Sequence, residues 1–160
     1  MALEKGVNSY VTVAEADIYF ADRLDVAAWT EADATQKEQS LITATAVIDD
    51  MVFIGVAVSS AQTLAFPRTG EFFDPKLGVS LPLNPSPRRL LVAVMETAYH
   101  LLNNDGLLDD NGSVQSLSIS SINLTTLKSP SLVPAIAKRS LKPLLNSADA
   151  SNTRSWWRAN

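Results

Sequence analysis

Five prolines and two glycines, Pro67, Gly70, Pro75, Gly78, Pro82, Pro85 and Pro87, crowd into residues 67–87 and divide the chain into two helix-forming stretches. Proline removes a backbone donor and clashes with the preceding turn, so no helix can run through this region. The spacing predicts a loop. A loop of that length inside a compact domain is either an interaction loop or a surface excursion anchored by its own apolar residues, here Phe72, Phe73 and Leu81. Both readings stay open.

Helices are predicted on either side. Thr12 and Glu15 have capping-box spacing, in which a hydroxyl and a carboxylate reciprocally satisfy amides at a helix start. The helix they open is expected over 13–24, with Ile18, Phe20 and Leu24 supplying its apolar surface. Tyr19 and Phe20 are adjacent and must point to different faces, so one belongs at a rim or interface. A second box, Thr35 with Glu38, predicts a helix to about Met51, with Leu41, Ala44, Thr45, Ile48, Met51 and Val52 on one face. Ser59 and Gln62 have the same spacing and predict a short turn of helix. Beyond the loop, Ser86 can cap a helix with Pro87 at its first position. That helix is expected from Arg88 to about Asn104, buried along Leu91, Val94, Ala98, Leu101 and Leu102, and stopped by Asn103-Asn104-Asp105-Gly106.

Residues 113–127 change character. Val114, Leu117, Ile119, Ile122, Leu124 and Leu127 alternate with serine, threonine and asparagine, a pattern for two short strands in a hairpin or an extended arm. A last helix is expected over 132–145 with Ile136, Leu141, Leu144 and Leu145 on one side, ended or kinked by Pro143. The fold class is therefore mainly α: a bundle of about four helices with a hairpin or arm, forming one domain over 1–146, and a C-terminal tail over 147–160. With 160 residues, such a domain buries roughly 68–70% of its unfolded surface and needs no disulfide.

Composition excludes whole classes of chemistry. There is no cysteine, so disulfides, thiolate metal sites and cysteine nucleophiles are excluded, in keeping with a reducing compartment. His100 is the one histidine, on the helix after the loop with no partner motif, and is far better read as packed or at a rim than as a base. Asp49 and Asp50 diverge by about 100° on a helix and do not converge on a cation. Asp109-Asp110-Asn111-Gly112 lacks the alternating ligands of a calcium loop and reads as a turn. No phosphate-cradling glycine loop and no nucleophile elbow is present. We expect no catalysis, no metal and no cofactor. No apolar run approaches the length of a membrane span, and residues 1–10 do not have the pattern of a secretory signal.

Charge is uneven. Residues 1–60 hold ten acids and three bases, whereas residues 113–160 hold only Asp149 against Lys128, Lys138, Arg139, Lys142, Arg154 and Arg158. Such polarity suits head-to-tail contact between copies, or a basic end meeting an acidic partner; chance with ordinary solvation is the plain alternative. The tail adds Trp156 and Trp157 between Arg154 and Arg158. Aromatics and arginine anchor protein interfaces, and they also stack on bases and neutralise phosphates. The plainer alternative is a tail that folds back on its own core.

The run from Asn8 to Phe20, Asn-Ser-Tyr-Val-Thr-Val-Ala-Glu-Ala-Asp-Ile-Tyr-Phe, followed by Arg23 and Trp29, resembles a family of small tailed-phage proteins. The likeness continues through Leu41-Ile42-Thr43-Ala44-Thr45, Ile48-Asp49, the block from Gln62 to Gly70, and Leu141 to Leu145. Tryptophan is usual where Phe66 stands, and neither the proline-rich loop nor the Trp-Trp tail maps onto the family. Its members are often labelled DnaT-like single-stranded-DNA-binding proteins, yet they resemble head–tail connector (adaptor or head-completion) proteins. The resemblance implies a virion neck protein made in the host cytoplasm. It implies a ring, commonly twelvefold, that sits under a portal protein, meets tail or nozzle proteins, and lets genomic DNA pass without reading its sequence. On that reading Lys138, Arg139, Lys142, Arg154, Trp156, Trp157 and Arg158 contact the portal or a neighbouring subunit. A single-stranded-DNA-binding module is the alternative. The net charge of −4 weighs against it, because non-specific binding rests on cations displacing counterions from phosphates.

Overall fold

A computed structural model describes residues 2–103, 116–119, 122–125 and 131–146. The elements run α1 (Val13–Ala21), α2 (Ala27–Thr30), α3 (Ala34–Asp49), β1 (Val56–Ala57), β2 (Arg68–Thr69), β3 (Glu71–Asp74), β4 (Val79–Pro82), α4 (Arg88–Asn103), β5 (Ser116–Ile119), β6 (Ile122–Thr125) and α5 (Ala135–Leu141), which tightens into a 3-10 turn at Lys142–Leu144. The protein is mainly helical. Helices α3 and α5 pack along α4, with α2 against its flank. Each strand pair is antiparallel: β1 with β2, β3 with β4, and β5 with β6.

Helix α4 is the axis of the core. Leu90, Ala93, Val94, Ala98 and Leu101 are buried along it, facing Leu41, Ala44 and Ile48 of α3 and Ala137, Leu141 and Leu144 of the C-terminal segment. Fully burying one such leucine contributes about 1.5–3 kcal/mol. The expected stripe is correct in Val94, Ala98 and Leu101, while Leu91 and Leu102 are only half-buried. Partners on several sides widen the buried face beyond one stripe.

The capping box of Thr12 and Glu15 forms, with Glu15 N–H donating to Thr12 Oγ1 at 3.2 Å and Thr12 N–H to Glu15 Oε2 at 2.8 Å. The helix it opens is shorter than expected. It stops at Ala21, and Asp25 takes a left-handed φ of 57° that turns the chain into α2. Phe20 is buried and Tyr19 lies at the rim, but Ile18 and Leu24 are exposed, contrary to their expected role as apolar core surface.

The second capping box is Asp33 with Gln36 rather than Thr35 with Glu38. Asp33 Oδ1 accepts from Gln36 N–H at 2.8 Å, and Gln36 Oε1 accepts from Asp33 N–H at 3.0 Å. Both spacings exist in the sequence, and aspartate is the stronger cap. Met51 and Val52 fall beyond the end of α3, where Met51 is half-buried and Val52 exposed. Residues 59–62 form a turn and not a helix: Gln62 accepts from Ser59 N–H, while its amide donates to the carbonyls of Leu64 and Pro67.

The proline-rich segment is more ordered than a loop. It contains the hairpin of β3 and β4, paired from Glu71 with Pro82 to Asp74 with Val79. Phe72 and Asp74 point inward and Phe73 outward, the alternation of a strand with one covered face. Phe72 anchors the segment, whereas Phe73 is exposed. The prolines fall in the turn, at the strand end and before α4, where no ladder donor is needed.

The hairpin expected within 113–127 is present as β5 and β6, in register from Ser116 with Thr125 to Ile119 with Ile122. Pro143 ends α5 as expected, lying in the 3-10 turn. Leu141 and Leu144 are buried and Leu145 is half-buried, but Ile136 is exposed, because the helix begins at Ala135 and turns Val133 and Ala137 inward instead. No helix among the described residues is long and apolar enough to cross a membrane. The expected turn at 109–112 and the tail at 147–160 lie outside the described residues.

Candidate nucleic-acid interface

Helix α5 and its 3-10 extension carry Lys138, Arg139 and Lys142, all exposed. Their spacing of three and four residues puts Lys142 one turn from both others, so the three form a single cationic strip. Lys138 Nζ donates to Ser131 Oγ at 2.7 Å, which orients it without neutralising it. Residues 113–148 contain no acid to offset the strip. Arg154, Trp156, Trp157 and Arg158 lie outside the described residues, so the structure brings together three of the seven expected site residues.

Next to α5, a cleft of about 640 Å³ opens between the β3–β4 hairpin and the N-terminal turn of α4. Lys76 and Arg88 stand exposed at its walls, with Leu77, Pro85 and Val92 supplying apolar lining. Its frame is an ion pair: Arg89 Nε donates to Asp74 Oδ2 at 2.8 Å and Nη2 to Oδ1 at 2.5 Å. The Arg89 guanidinium holds the Asp74 carboxyl well below the usual carboxylate range. Arg89 also anchors α5, because its carbonyl accepts from Ser140 Oγ at 2.8 Å.

The other candidates separate cleanly. His100 is half-buried, with Nε2 at 3.0 Å from the Ser131 carbonyl, a packing role. Asp49 and Asp50 diverge as their adjacency requires. Asp49 accepts from Tyr10 Oη and from Ala65 N–H at 2.9 Å, while Asp50 faces solvent. Among the described residues no group of three or more acids or histidines is placed to hold a metal ion.

Three polar clusters were missed by sequence reasoning. Glu96, 4% exposed on α4, accepts from Tyr19 Oη at 2.6 Å and from Arg23 Nη1. Burial, and then the bond to Glu96, push the Tyr19 hydroxyl up to about 12. Tyr10 Oη donates to Asp49 and accepts from Phe66 N–H at 3.1 Å; its burial raises the phenol well above its ordinary value, with Asp49 adding to the effect. Arg68 donates to the carbonyls of Ile54 at 2.8 Å and Gly55 at 2.7 Å, and reaches those of Ala65 and Phe53. A charged residue in an apolar stripe, such as Glu96 between Met95 and Thr97, is the one signal that could have revealed the first cluster.

These clusters draw on segments that carry the family resemblance. Tyr10, Tyr19, Arg23, Asp49 and Arg68 all belong to quoted segments, and each fastens one part of the fold to another. A family model described as "Putative DnaT-like ssDNA binding protein" matches residues 2–158. The chain belongs to this family. No curated protein and no solved structure matches it. The match extends over the proline-rich segment and nearly all of the Trp-Trp tail, so in this DnaT-like chain both lie within the family's span.

Proposed function

We propose that this protein acts without catalysis by binding single-stranded DNA through its basic C-terminal third. Family membership carries the reading, since the matching description names single-stranded-DNA binding and spans nearly the whole chain. The strip of Lys138, Arg139 and Lys142 supports it, being free of nearby acids in sequence. A net charge of −4 means that attraction to phosphate has to be local. Stacking on Trp156 and Trp157 would add the sequence-tolerant part of the affinity, about 1–3 kcal/mol per base. The test is fluorescence anisotropy of a labelled oligothymidylate at near-physiological salt. Trp156→Ala with Trp157→Ala should weaken binding at least roughly thirtyfold, from about 2 kcal/mol of lost stacking. Wild-type affinity in that variant, or no binding by the wild type, overturns the reading.

A second reading is a structural head–tail adaptor of a tailed phage: a ring under the portal, commonly twelvefold, that extends the DNA channel and meets the tail. The observation favouring it is the polarity of the chain, acidic in residues 1–60 and basic in 113–160, together with large apolar side chains left exposed on the fold. Identical copies joined head to tail close into a ring when the rotation permits. This reading expects the protein to co-migrate with its portal as a large complex, less so after deletion of 147–160. An intact protein that never associates with a portal overturns it.

A further inference from the structure

Leu24 is the most exposed large apolar residue described, 91% accessible, yet it is not on a loose loop. Both neighbours are fastened. Arg23 bonds to buried Glu96, and its guanidinium carbon lies 5.9 Å from the Phe20 ring centre and 5.6 Å from that of Tyr99. Asp25 is held through its carbonyl, which accepts from Tyr99 Oη at 2.7 Å, and its left-handed φ sharpens the turn. The chain thus fixes an apolar knob in water and flanks it with Asp22 and Asp25, both exposed. A leucine held out in this way contributes no burial inside the monomer and leaves its full apolar surface available to a second surface.

The complement to this knob is on the same molecule but out of its reach. The cleft beside the start of α4 offers apolar Leu77, Pro85 and Val92 between exposed Lys76 and Arg88. The knob adjoins Tyr99, eleven residues further along α4 from Arg88, and a helix rises 1.5 Å per residue, so the two are separated by about 16 Å along its axis. Asp74 and Arg89 in the cleft neutralise each other, leaving Lys76 and Arg88 as its uncompensated charges among the lining residues.

We propose that the Asp22-Arg23-Leu24-Asp25 turn of one copy docks in the Lys76–Arg88 cleft of the next, joining copies head to tail. Leu24 fills the apolar part of the cleft, and Asp22 and Asp25 meet Lys76 and Arg88. The partner is a second copy because the two surfaces complement each other in charge and in apolar content while being too far apart to meet within one chain. The contact is heterologous, so it propagates or closes and does not stop at a dimer. This deepens the adaptor reading, on which it rests, by supplying the contact between neighbours.

The chain has no cysteine, so cross-linking can be made site-specific. Leu24→Cys and Leu77→Cys variants of the full-length protein are mixed at high concentration and treated with a short bismaleimide. The expected product is a covalent dimer formed in the mixture well above its level in either variant alone. A single chain carrying both substitutions should give a ladder of higher multiples. Adding Asp22→Lys to the Leu24→Cys partner should cut the yield about fivefold, and Arg88→Glu on the Leu77→Cys partner should restore it, as expected for charges that face each other. Cross-linking in the mixture no greater than in the single variants overturns the proposal, as does failure of the charge swap to recover the yield. Portal association, measured separately, decides the adaptor reading itself, so the two failures are distinguishable.

Discussion

Replacing Glu96 by alanine removes the one carboxylate that joins α4 to α1 and to the turn after it. The side chain is 4% exposed and accepts from Tyr19 Oη at 2.6 Å and from Arg23. Breaking a buried ion pair by deleting one partner costs about 3–5 kcal/mol when the other charge is trapped. Arg23 is not trapped, since 30% of its side chain reaches solvent and it retains the faces of Phe20 and Tyr99. That moves the expected loss to the bottom of the range, about 3 kcal/mol including the Tyr19 hydroxyl left unpaired. For a chain of this size, 1 kcal/mol corresponds to roughly 2–4 °C, so Tm should fall by about 6–12 °C. Glu96→Gln keeps an acceptor for Tyr19 but surrenders the charge-assisted bond, and should cost about 1–2 kcal/mol. Urea unfolding with Arg23→Ala and the double variant measures the coupling, expected at about 1 kcal/mol or more. A Glu96→Ala protein within about 0.5 kcal/mol of wild type, or additive single effects, refutes the idea that this pair fastens the turn.

Gly55 adopts φ 75°, and a methyl group there would sit 2.2 Å from the Thr69 carbonyl oxygen. Gly55→Ala should therefore lose about 2–4 kcal/mol in urea unfolding, the left-handed strain adding to the clash. The Asp74–Arg89 pair predicts a pH dependence. Asp74 is depressed in the folded state, so its contribution is present above the unfolded value near pH 4 and lost as pH falls toward the folded value. The Tm difference between wild type and Asp74→Asn should be constant from pH 5 to 8 and shrink below about pH 4.

Much of the helical plan was legible because it is written in local chemistry. The Thr12 cap, the apolar steps through Leu41, Ala44 and Ile48, and the Pro87 start of α4 each act within one or two turns. The alternation around Leu117 and Ile122 likewise gave the β5–β6 hairpin. What was missed depends on distant neighbours. Nothing near Leu24 shows that the chain turns at Asp25 and leaves the leucine in water; that follows from Tyr99 and Glu96 across the fold. Asp33 displaced Thr35 as a cap because two overlapping boxes were available and only the stronger one could start the helix. The hairpin of β3 and β4 was hidden by the prolines around it, which signal loop although they occupy positions where a strand tolerates them.

The candidate site residues were less accessible still. Lys138, Arg139 and Lys142 could be located by charge, and the structure brings them into one strip. The cleft of Lys76 and Arg88 joins the β3–β4 turn to the first residue of α4 and cannot be read from spacing. The resemblance to connector proteins and the net charge favour an adaptor role over single-stranded-DNA binding; the DnaT-like family model over residues 2–158 favours the binding reading.

The salt dependence of oligothymidylate binding tests that ranking most directly. If the strip of three cations carries the phosphate contacts, log K should fall against log salt with a slope of about −2, close to −0.7 per phosphate neutralised. Affinity should then drop roughly twentyfold between 50 and 200 mM salt, and the slope should flatten toward zero in a Lys138→Glu, Arg139→Glu, Lys142→Glu protein. Binding that ignores salt, or a slope unchanged by those three substitutions, contradicts the account.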